Sequence, residues 1–409
     1  MKKKTLTGLD ISDDFVTCSI CSTDEKSGAV ILGVGTVPSR GVDNGSITDL
    51  SEVTQSVAEA VEKAEAAAKT KVLSLVTSCD GTSLRTYNTK GSITVSEKEN
   101  EIGRREVERV TEAAKTIALP FDREIVHSVT RGFILDGQDG IKDPAGMFGT
   151  RLEVDMELVT ALITNLHNLR RAVNAAGFEI QDIVLSGVAS GNVLLEDLDK
   201  DLGAILIYIS YSATHIVVYS GGEIRAIEVV PFGGGELVRA AADAFKIPRD
   251  YAEQVIRREV SLDESPSTED DEITLRIGGS GKTISRKSLR GAVKPAAEEL
   301  ISKAGEALKG MRSSKEAATG CVVAGVLADL GGFLEMFELS LSMPVKMGLV
   351  KGVSGEGLNM VEPGKIVSLG LVKYLAKEGA RKKVHKRFFA NTPFGKVADR
   401  IQEIFSEYF

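Results

Sequence analysis

One pattern of predicted strands occurs twice in this chain, and it constrains the fold more than any other feature. Each copy consists of a strand, a short polar turn and two further strands: residues 6–11, 12–14, 15–20 and 29–37 in the first copy, and 204–209, 210–214, 216–219 and 223–230 in the second. A duplicated order of this kind predicts an α/β protein of two similar lobes with a cleft between them.

Composition narrows the class of protein further. At about 150 residues per domain, the 409 residues predict two or three domains, and 43% hydrophobic with 26% charged residues is ordinary for a globular chain. The formal net charge of −8 argues against coating nucleic acid through net charge. Four cysteines are too few to staple a chain of this length, so we interpret them as reduced thiols in a cytosolic protein.

Several local signals are weaker than they look. Residues 202–222 contain no charged side chain, but their polar centre and β-branched flanks predict two strands and a turn rather than a membrane span. Gly281-Lys282-Thr283 resembles the end of a phosphate-binding loop but lacks the first glycine, and we interpret it as a turn in a basic surface loop. The four histidines lack metal-ligand spacing, and no nucleophile elbow or hydrolytic triad occurs, so neither a metal site nor a catalytic residue is predicted.

The helical pattern follows each strand unit. Apolar residues recur at helical spacing in six segments: 51–69, 97–119, 166–176, 235–245, 251–260 and 288–308.

The two polar turns lie where a duplicated α/β fold would hold a phosphate. A phosphate clamp needs glycines, whose backbone N–H groups can approach the ligand, and carboxylates that hold a hydrated metal ion. The turn at 210–214 has neither, and Tyr211 places a ring where the phosphate would lie. Local chemistry therefore leaves two interpretations open, a working site and two simple hairpin turns.

Blocks of sequence in several places resemble those of one protein family. The densest is GQDGIKDPAGMFGTRLE at 137–153; EIGRREVERVTEAAKTIALP precedes it at 101–120, and VPFGG follows at 230–234. These blocks, in this order, resemble the FtsA family of actin-like bacterial cell-division proteins. The resemblance implies an α/β, actin-like two-lobed fold of the duplicated ribonuclease H-like type, with the inserted 1C domain of that family.

The same resemblance implies a division of the chain into subdomains. Its expected parts are subdomain 1A at 1–83, 167–200 and 355–380, subdomain 1C at 84–166, subdomain 2A at 201–240 and 316–354, subdomain 2B at 241–315, a basic linker at 381–393 and a C-terminal amphipathic helix at 394–409.

Transfer of the family's nucleotide-binding motifs exposes departures from them. By resemblance, the cleft positions are Asp10, Ser12, Ser210, Thr214, Gly233, Gly234, Glu253 and Gly325. Asp10 is retained in the first loop, but Ser12 and Phe15 replace the family's Gly and Lys. The second loop loses all three glycines and both acidic residues, His215 replacing the second of these. We therefore expect a pseudo-ATPase with no cofactor, although Mg-ATP remains an alternative if the degenerate cleft still binds it.

Function also follows by resemblance. Family members tether filaments of the tubulin-like FtsZ to the cytoplasmic membrane, polymerise head to tail, and recruit other division proteins, a role we expect of the 1C domain here. The FtsZ tail is expected in subdomain 2B, near Arg276, Lys282, Arg286, Lys287 and Arg290. Two alternatives stay open: an ATP-binding, weakly hydrolysing FtsA with unconventional contacts, and a pilus-assembly adaptor that resembles PilM.

The C-terminal segment has the pattern of a membrane-surface helix. Its apolar residues recur at helical spacing: Phe394, Val397, Ile401, Ile404, Phe405, Tyr408 and Phe409. The basic run at 381–387 precedes it and would attract anionic lipid. We expect a peripheral protein on the inner face of the cell membrane at the division site; a helix that docks on another protein is the alternative.

Overall fold

Two sheets of the same design organise the chain. The computed structural model describes residues 4–24, 28–95, 100–116, 119–263, 272–277, 280–311, 319–355 and 363–377. In the described part, the first sheet has the strand order β11-β6-β1-β2-β3-β19. Its strands are β1 (Lys4–Ile11), β2 (Phe15–Asp24), β3 (Gly28–Pro38), β6 (Ser74–Cys79), β11 (Glu179–Leu185) and β19 (Val353–Ser354).

The second sheet repeats that arrangement. Its order is β14-β13-β12-β17-β18, formed by β12 (Ala204–Ile209), β13 (Thr214–Ser220), β14 (Glu223–Val230), β17 (Cys321–Gly325) and β18 (Val345–Met347). In both sheets the first strand of the unit pairs antiparallel with the second and parallel with the strand on its other side. The predicted duplication is therefore confirmed, and the uncharged stretch 202–222 forms two strands as expected.

The chain between β6 and β11 contains a third sheet. It has the order β7-β10-β8-β9, from β7 (Arg85–Thr94), β8 (Arg123–Leu135), β9 (Gln138–Ile141) and β10 (Arg151–Leu162), and α2 (Arg104–Thr116) covers one face. Helix α2 is shorter than the predicted 97–119, because Glu101 forms a β-bridge with Phe148 before the helix begins. Glu157 on β10 accepts a hydrogen bond from the Ile227 amide on β14, which joins the insert to the second sheet.

Helices complete the layers over the two main sheets. They are α1 (Leu50–Ala68), α3 (Ile163–Ala175), α4 (Ser186–Leu194), α5 (Asp197–Leu202), α6 (Gly235–Phe245), α7 (Arg249–Glu259), α8 (Arg286–Gly310), α9 (Phe333–Leu341) and a final helix at 367–377. Asp49 caps α1 by accepting from the Glu52 amide at 3.0 Å. Helix α1 lies directly on β3 because Gly35 has no side chain; a Cβ there would collide with the Ala60 carbonyl oxygen.

The remaining strands form two hairpins. One pairs β4 (Val42–Asp43) with β5 (Ser46–Ile47), and the other pairs β15 (Glu272–Ile277) with β16 (Ser280–Ser285). The interpretation of Gly281-Lys282-Thr283 as a turn was wrong, because these residues lie within β16. Their backbone is extended and paired in register with β15, which is not the conformation of a phosphate-binding loop.

Some of the predicted subdomain limits fall within helices or strands of the structure. The limit at 166/167 falls inside α3, and the limit at 240/241 falls inside α6. The predicted 2A segment ends at 354, yet Val353 and Ser354 already pair with β3 of the first sheet. The division into subdomains otherwise stays a prediction.

Candidate functional site

The first turn lies at the end of β1 and is held together by its own side chains. Ser12 Oγ donates to Asp14 Oδ1 at 2.7 Å, and the Phe15 amide donates to the same oxygen at 3.0 Å. The Ser12 amide donates to the Phe15 carbonyl oxygen at 3.0 Å. Asp13 Oδ1 accepts from the Gly45 amide at 3.0 Å. The amides that a phosphate would need at Ser12 and Phe15 are therefore already paired within the turn.

The buried Asp10 and the half-buried Asp13 and Asp14 form a group of carboxyl groups at this turn. Burial, opposed in part by a hydrogen bond with Ser78 and assisted by Asp80 and Asp14, raises the pKa of Asp10 to about 8. Burial also raises the pKa of Asp14 to about 6, and the pKa of Asp13 lies above its usual value for the same reason. Asp10 is thus mainly protonated at neutral pH. Any charge that the group does carry is negative and opposes a phosphate.

The second turn is closed by the glycines that follow β14. The Ser210 amide donates to the Ala213 carbonyl oxygen at 2.8 Å. The Gly234 amide donates to the Ser210 carbonyl oxygen at 2.9 Å, and the Gly235 amide to that of Tyr211 at 2.8 Å. A Cβ at Gly235 would lie 2.5 Å from the Tyr211 ring, so this ring packs on the first residue of α6. The Tyr211 ring, which was predicted to obstruct a phosphate, therefore contacts the N-terminus of α6.

A buried pair of Asp80 and His215 crosses from one lobe to the other beside these turns. Asp80 follows β6 of the first sheet, and its Oδ1 lies 2.8 Å from His215 Nε2 on β13 of the second sheet. The His215 side chain is 0% exposed and that of Asp80 is 8% exposed. Although burial alone would raise the pKa of Asp80, the charge and hydrogen bond of His215 hold it below its usual value. Sequence reasoning interpreted His215 as the replacement of an acidic residue and as a structural or surface histidine without metal-ligand spacing, and missed its pairing with Asp80.

A lysine from elsewhere in the chain approaches the first turn. Phe15 stands where the family motif has Lys, and Lys365 Nζ lies 3.6 Å from the centroid of the Phe15 ring, a cation–π contact. Lys365 belongs to the 3₁₀ turn Pro363–Lys365, more than 300 residues along the chain. The structure thus brings a cation to the place from which the motif lost one. No local sequence signal could have found it.

The remaining predicted cleft residues have structural partners. Thr214 Oγ1 donates to the Phe232 carbonyl oxygen at 2.7 Å, next to Gly233. Gly325 ends β17 opposite Ile209, whose carbonyl oxygen accepts from the following Val326 amide at 2.8 Å. Among the described residues, no group of three or more His, Cys, Asp or Glu side chains is arranged to hold a metal ion.

Glu253, one of the cleft positions expected by resemblance, lies in an ion-pair network. Its Oε1 is 2.9 Å from Arg257 Nη2, and Arg257 Nη1 is 3.2 Å from Asp329 Oδ1. Burial is the main cause of the raised pKa of Asp14, and the Ser12 hydrogen bond opposes it. The charge of Glu253 raises this pKa further, so Glu253 lies near the first turn.

A basic groove of about 190 Å³ lies where α7 ends and α8 begins. Arg258, Arg286, Lys287 and Arg290 line it together with Glu259. Arg286 Nη2 lies 2.6 Å from Glu259 Oε2, and Ser285 Oγ caps α8 by accepting from the Ser288 amide at 3.1 Å. Three of the five residues predicted for the FtsZ tail thus share one groove. Sequence reasoning missed Arg258, which stands at the end of a predicted helix.

The other two predicted residues are placed differently. Lys282 donates to the Phe245 carbonyl oxygen at 3.3 Å, and its Nζ lies 5.7 Å from the centroid of the Phe245 ring. It is therefore directed to the end of α6. Arg276 lies on β15, and its side chain is outside the described ones.

Comparison with known proteins now identifies the family. The family model described as the SHS2 domain inserted in FtsA matches residues 81–160, and the model described as cell division protein FtsA matches residues 205–362. Cell division protein FtsA of Bacillus subtilis (strain 168) is 31% identical over 349 residues, which cover 85% of this chain and 78% of that protein. The chain belongs to the FtsA family. FtsA of Pseudomonas aeruginosa is 28% identical over 91% of this chain and 89% of its own length.

Solved structures place the FtsA fold among the actin-like proteins. The PilM-PilN type IV pilus biogenesis complex contains a chain that matches with a TM-score of 0.65 at 16% identity, over 91% of this chain and 98% of that one. MreB5 of Spiroplasma citri bound to ADP matches with a TM-score of 0.52 at 12% identity, over 93% and 98%. These likenesses confirm the predicted actin-like fold, and the inserted SHS2 domain confirms the family-specific insert.

The predicted membrane segment of this FtsA-family chain lies outside the described residues. This holds for the basic linker at 381–393 and for the helix at 394–409 with its stripe of apolar side chains. Within the described part, no helix has both the length and the apolar character needed to cross a bilayer.

Proposed function

We propose that this FtsA-family chain is a cell-division adaptor that tethers FtsZ filaments to the cytoplasmic membrane and self-assembles into actin-like protofilaments without ordinary control by ATP. The observation that supports the loss of nucleotide control is that each of the two turns uses its own backbone hydrogen-bond donors. The backbone donors at Ser12, Phe15 and Ser210 are used within the turns, and the Asp80–His215 pair links the lobes directly.

Energetics support this proposal. A site for ATP must replace the hydration of its phosphates with N–H donors and a cation, and each lost charged contact costs about 1.5–3 kcal/mol. Several such losses would weaken a micromolar site to the millimolar range or beyond. The Asp80–His215 pair instead supplies what a bound nucleotide would otherwise supply, a bridge between the two sheets.

The basic groove supports binding of the FtsZ tail. The tail of this family's partner is a short acidic and apolar peptide, and a groove lined by Arg258, Arg286, Lys287 and Arg290 at the start of a helix matches its charge. We propose this groove, rather than the side of the hairpin that carries Lys282, as the receiving surface.

Membrane attachment is assigned to the C-terminal segment. The apolar stripe from Phe394 to Phe409 and the basic run before it carry this part of the proposal. Recruitment of other division proteins is assigned to the inserted domain on family grounds alone.

The direct test is calorimetric titration of the full chain with Mg-ATP, together with electron microscopy of filament assembly in nucleotide-free buffer. We expect no saturable binding below the millimolar range, and filaments without nucleotide. A variant with both Tyr211→Gly and Ser12→Gly removes the side chains that occupy the two turns, and it is the matched control for access of ATP to them. A micromolar dissociation constant for the wild-type chain would overturn the pseudo-ATPase part.

A second candidate function keeps ATP binding with unconventional contacts. The observation that favours it is Lys365, which returns a cation to the first turn beside Phe15. If it is correct, Lys365→Met should abolish the micromolar binding that the same titration would then detect in the wild-type chain.

A further inference from the structure

A polar cavity of about 460 Å³ lies on a different side of the molecule from the cleft turns. It forms where β8 of the insert, α4, the β13–β14 hairpin and the final helix 367–377 meet. The wall carries several hydrogen-bonding side chains: Ser128, Thr130, Asn192, Lys200, Tyr219 and Lys377. None of these residues belongs to the sites described above.

Lys200 is the unusual member of this wall. Its residue is only 4% exposed, and its Nζ lies over the Tyr219 ring, 5.1 Å from the centroid. Within the described residues, no hydrogen bond or ion pair of its ammonium group is found. Buried lysines normally have a counter-charge, because moving an unpaired cation out of water costs free energy.

Of the three acidic residues in α5, Asp197 and Asp199 pair with other lysines, and Asp201 is exposed and lies beside Gly222. Asp197 Oδ1 pairs with Lys377 Nζ at 2.7 Å. Asp199 pairs with Lys351 at 3.1 Å and with Lys346 at 3.5 Å. The counter-charges nearest in sequence therefore leave the Lys200 ammonium without a direct partner.

The carboxylates nearest the cavity, those of Asp182, Asp201 and Glu223, belong to exposed residues, so its inner wall is short of negative charge. From the final helix, Lys373 and Lys377 add to the positive potential, and burial with their charges lowers the pKa of Lys200 to about 7. From β8, burial lowers the pKa of His127 to about 4, so this imidazole is neutral at pH 7. From β14 comes Glu223, whose exposed carboxylate lies 3.7 Å from Arg225.

We propose that this cavity binds a phosphate group, held by Lys200 and Lys377 together with the hydroxyl and amide groups of the wall. A phosphate has several acceptor oxygens, which suits a wall with several separate donors better than a single carboxylate does. The volume also exceeds that of one phosphate, so a substituent can be accommodated. The group can come from a soluble phosphate monoester or from a lipid headgroup.

Proton uptake should accompany binding. An anion beside Lys200 favours the charged amine and so raises its pKa, and any effect of the anion on the pKa of the buried His127 imidazole has the same sign. Binding measured at pH 8 should therefore take up protons from the buffer.

The test uses the full chain with inorganic phosphate and glycerol 3-phosphate as probes, measured by calorimetry in two buffers of different ionisation enthalpy. We expect saturable binding that Lys200→Met weakens at least about tenfold, the loss of one charged contact. Lys346→Met is the matched control, since Lys346 also pairs with α5 but lies outside the cavity wall, and its affinity should equal that of the wild type.

Folding and ligand source have separate readouts. Lys200→Met replaces an unpaired buried amine by an apolar chain of similar length, so its melting temperature in phosphate-free buffer should not fall. If that variant does not fold, Lys377→Gln at the rim should weaken binding in its place. Pelleting with phosphatidylcholine vesicles, with and without phosphatidic acid, identifies the source. A phosphatidic-acid effect that Lys200→Met removes supports a headgroup, and binding of soluble probes alone supports a free ester.

Two results would overturn the proposal. One is equal affinity of the wild-type and Lys200→Met chains for both soluble probes, with equal pelleting on phosphatidic acid. The other is the absence of saturable binding to either probe together with no Lys200-dependent effect of phosphatidic acid.

Discussion

At the scale of single residues, the Asp80–His215 pair is the direct side-chain link between the two lobes beside the turns. Replacing His215 by Ala removes the partner of the buried Asp80 across the cleft and leaves it with the Gly81 amide and Ser210; breaking a buried pair in this way costs about 3–5 kcal/mol. We expect the free energy of unfolding, measured with urea at pH 7, to fall by about that amount.

The exposed pair of Arg40 and Glu59 is the matched control for this change. Its two side chains are 45% and 39% exposed, so Arg40→Ala should cost less than about 1 kcal/mol. An equal, small loss in both variants would show that the Asp80–His215 pair does not hold the lobes together.

Asp10 should make stability depend on pH. Its pKa is raised to about 8 by burial, so between the unfolded value near 4 and pH 8 the folded chain binds more protons than the unfolded one. This contribution therefore destabilises the fold as pH rises through that range. Asp10→Asn should raise the free energy of unfolding at pH 8 by on the order of a few kcal/mol, with little gain at pH 4.

Urea denaturation at both pH values checks this expectation. Asp136→Asn is the control, because the pKa of that exposed carboxyl is lowered by hydrogen bonds with Thr150 and Arg151. Loss of the Asp136 carboxylate should reduce the free energy of unfolding at pH 8 and not raise it. An Asp10→Asn variant with the same pH slope as the wild type would contradict the assignment.

At the scale of elements, the start of α8 concentrates the charge of the basic groove. Reversing Arg286 and Arg290 to Glu should weaken the affinity for an FtsZ tail peptide by about tenfold or more, since each removes an attraction and adds a repulsion. The salt dependence of binding should fall at the same time. Fluorescence anisotropy with labelled peptide at two salt concentrations measures both.

Lys282→Glu provides the comparison within the same part of the chain. Lys282 contacts Phe245 and does not line the groove, so its reversal should leave the peptide affinity within about twofold. If Lys282→Glu weakens binding as strongly as the double reversal, the peptide binds another surface.

At the scale of the whole molecule, the adaptor role requires that the tail bind the membrane. Deleting 394–409 should abolish pelleting with anionic vesicles, because the apolar stripe supplies the buried area that charge alone does not. Ile401→Glu, on the stripe, should have nearly the same effect. Gln402→Glu adds the same charge off the stripe and should retain most of the binding; equal losses in these two variants would contradict an amphipathic helix.

Sequence alone determined the parts that depend on short-range pattern. Alternating and helical spacing of apolar residues predicted both strand units and the helix α6 at 235–245, which the structure begins and ends at the same residues. The sequence also showed the loss of glycine and acidic residues from the second turn. This loss bears on function because the approach of backbone N–H groups to a phosphate and the binding of a metal ion depend on residue type. Family membership followed from motif blocks in order.

The tertiary structure alone decided which side chains meet. His215 and Asp80 are 135 residues apart, and Lys365 reaches Phe15 only because the chain returns to the first sheet through β19. By sequence, Lys200 resembles a surface residue in an acidic helix; the structure buries it and pairs Asp197 and Asp199 with three other lysines. Periodicity reports which face of an element is buried. The partner across a cleft depends on how distant elements pack, since electrostatic and hydrogen-bond energies are set by separation in space and by burial.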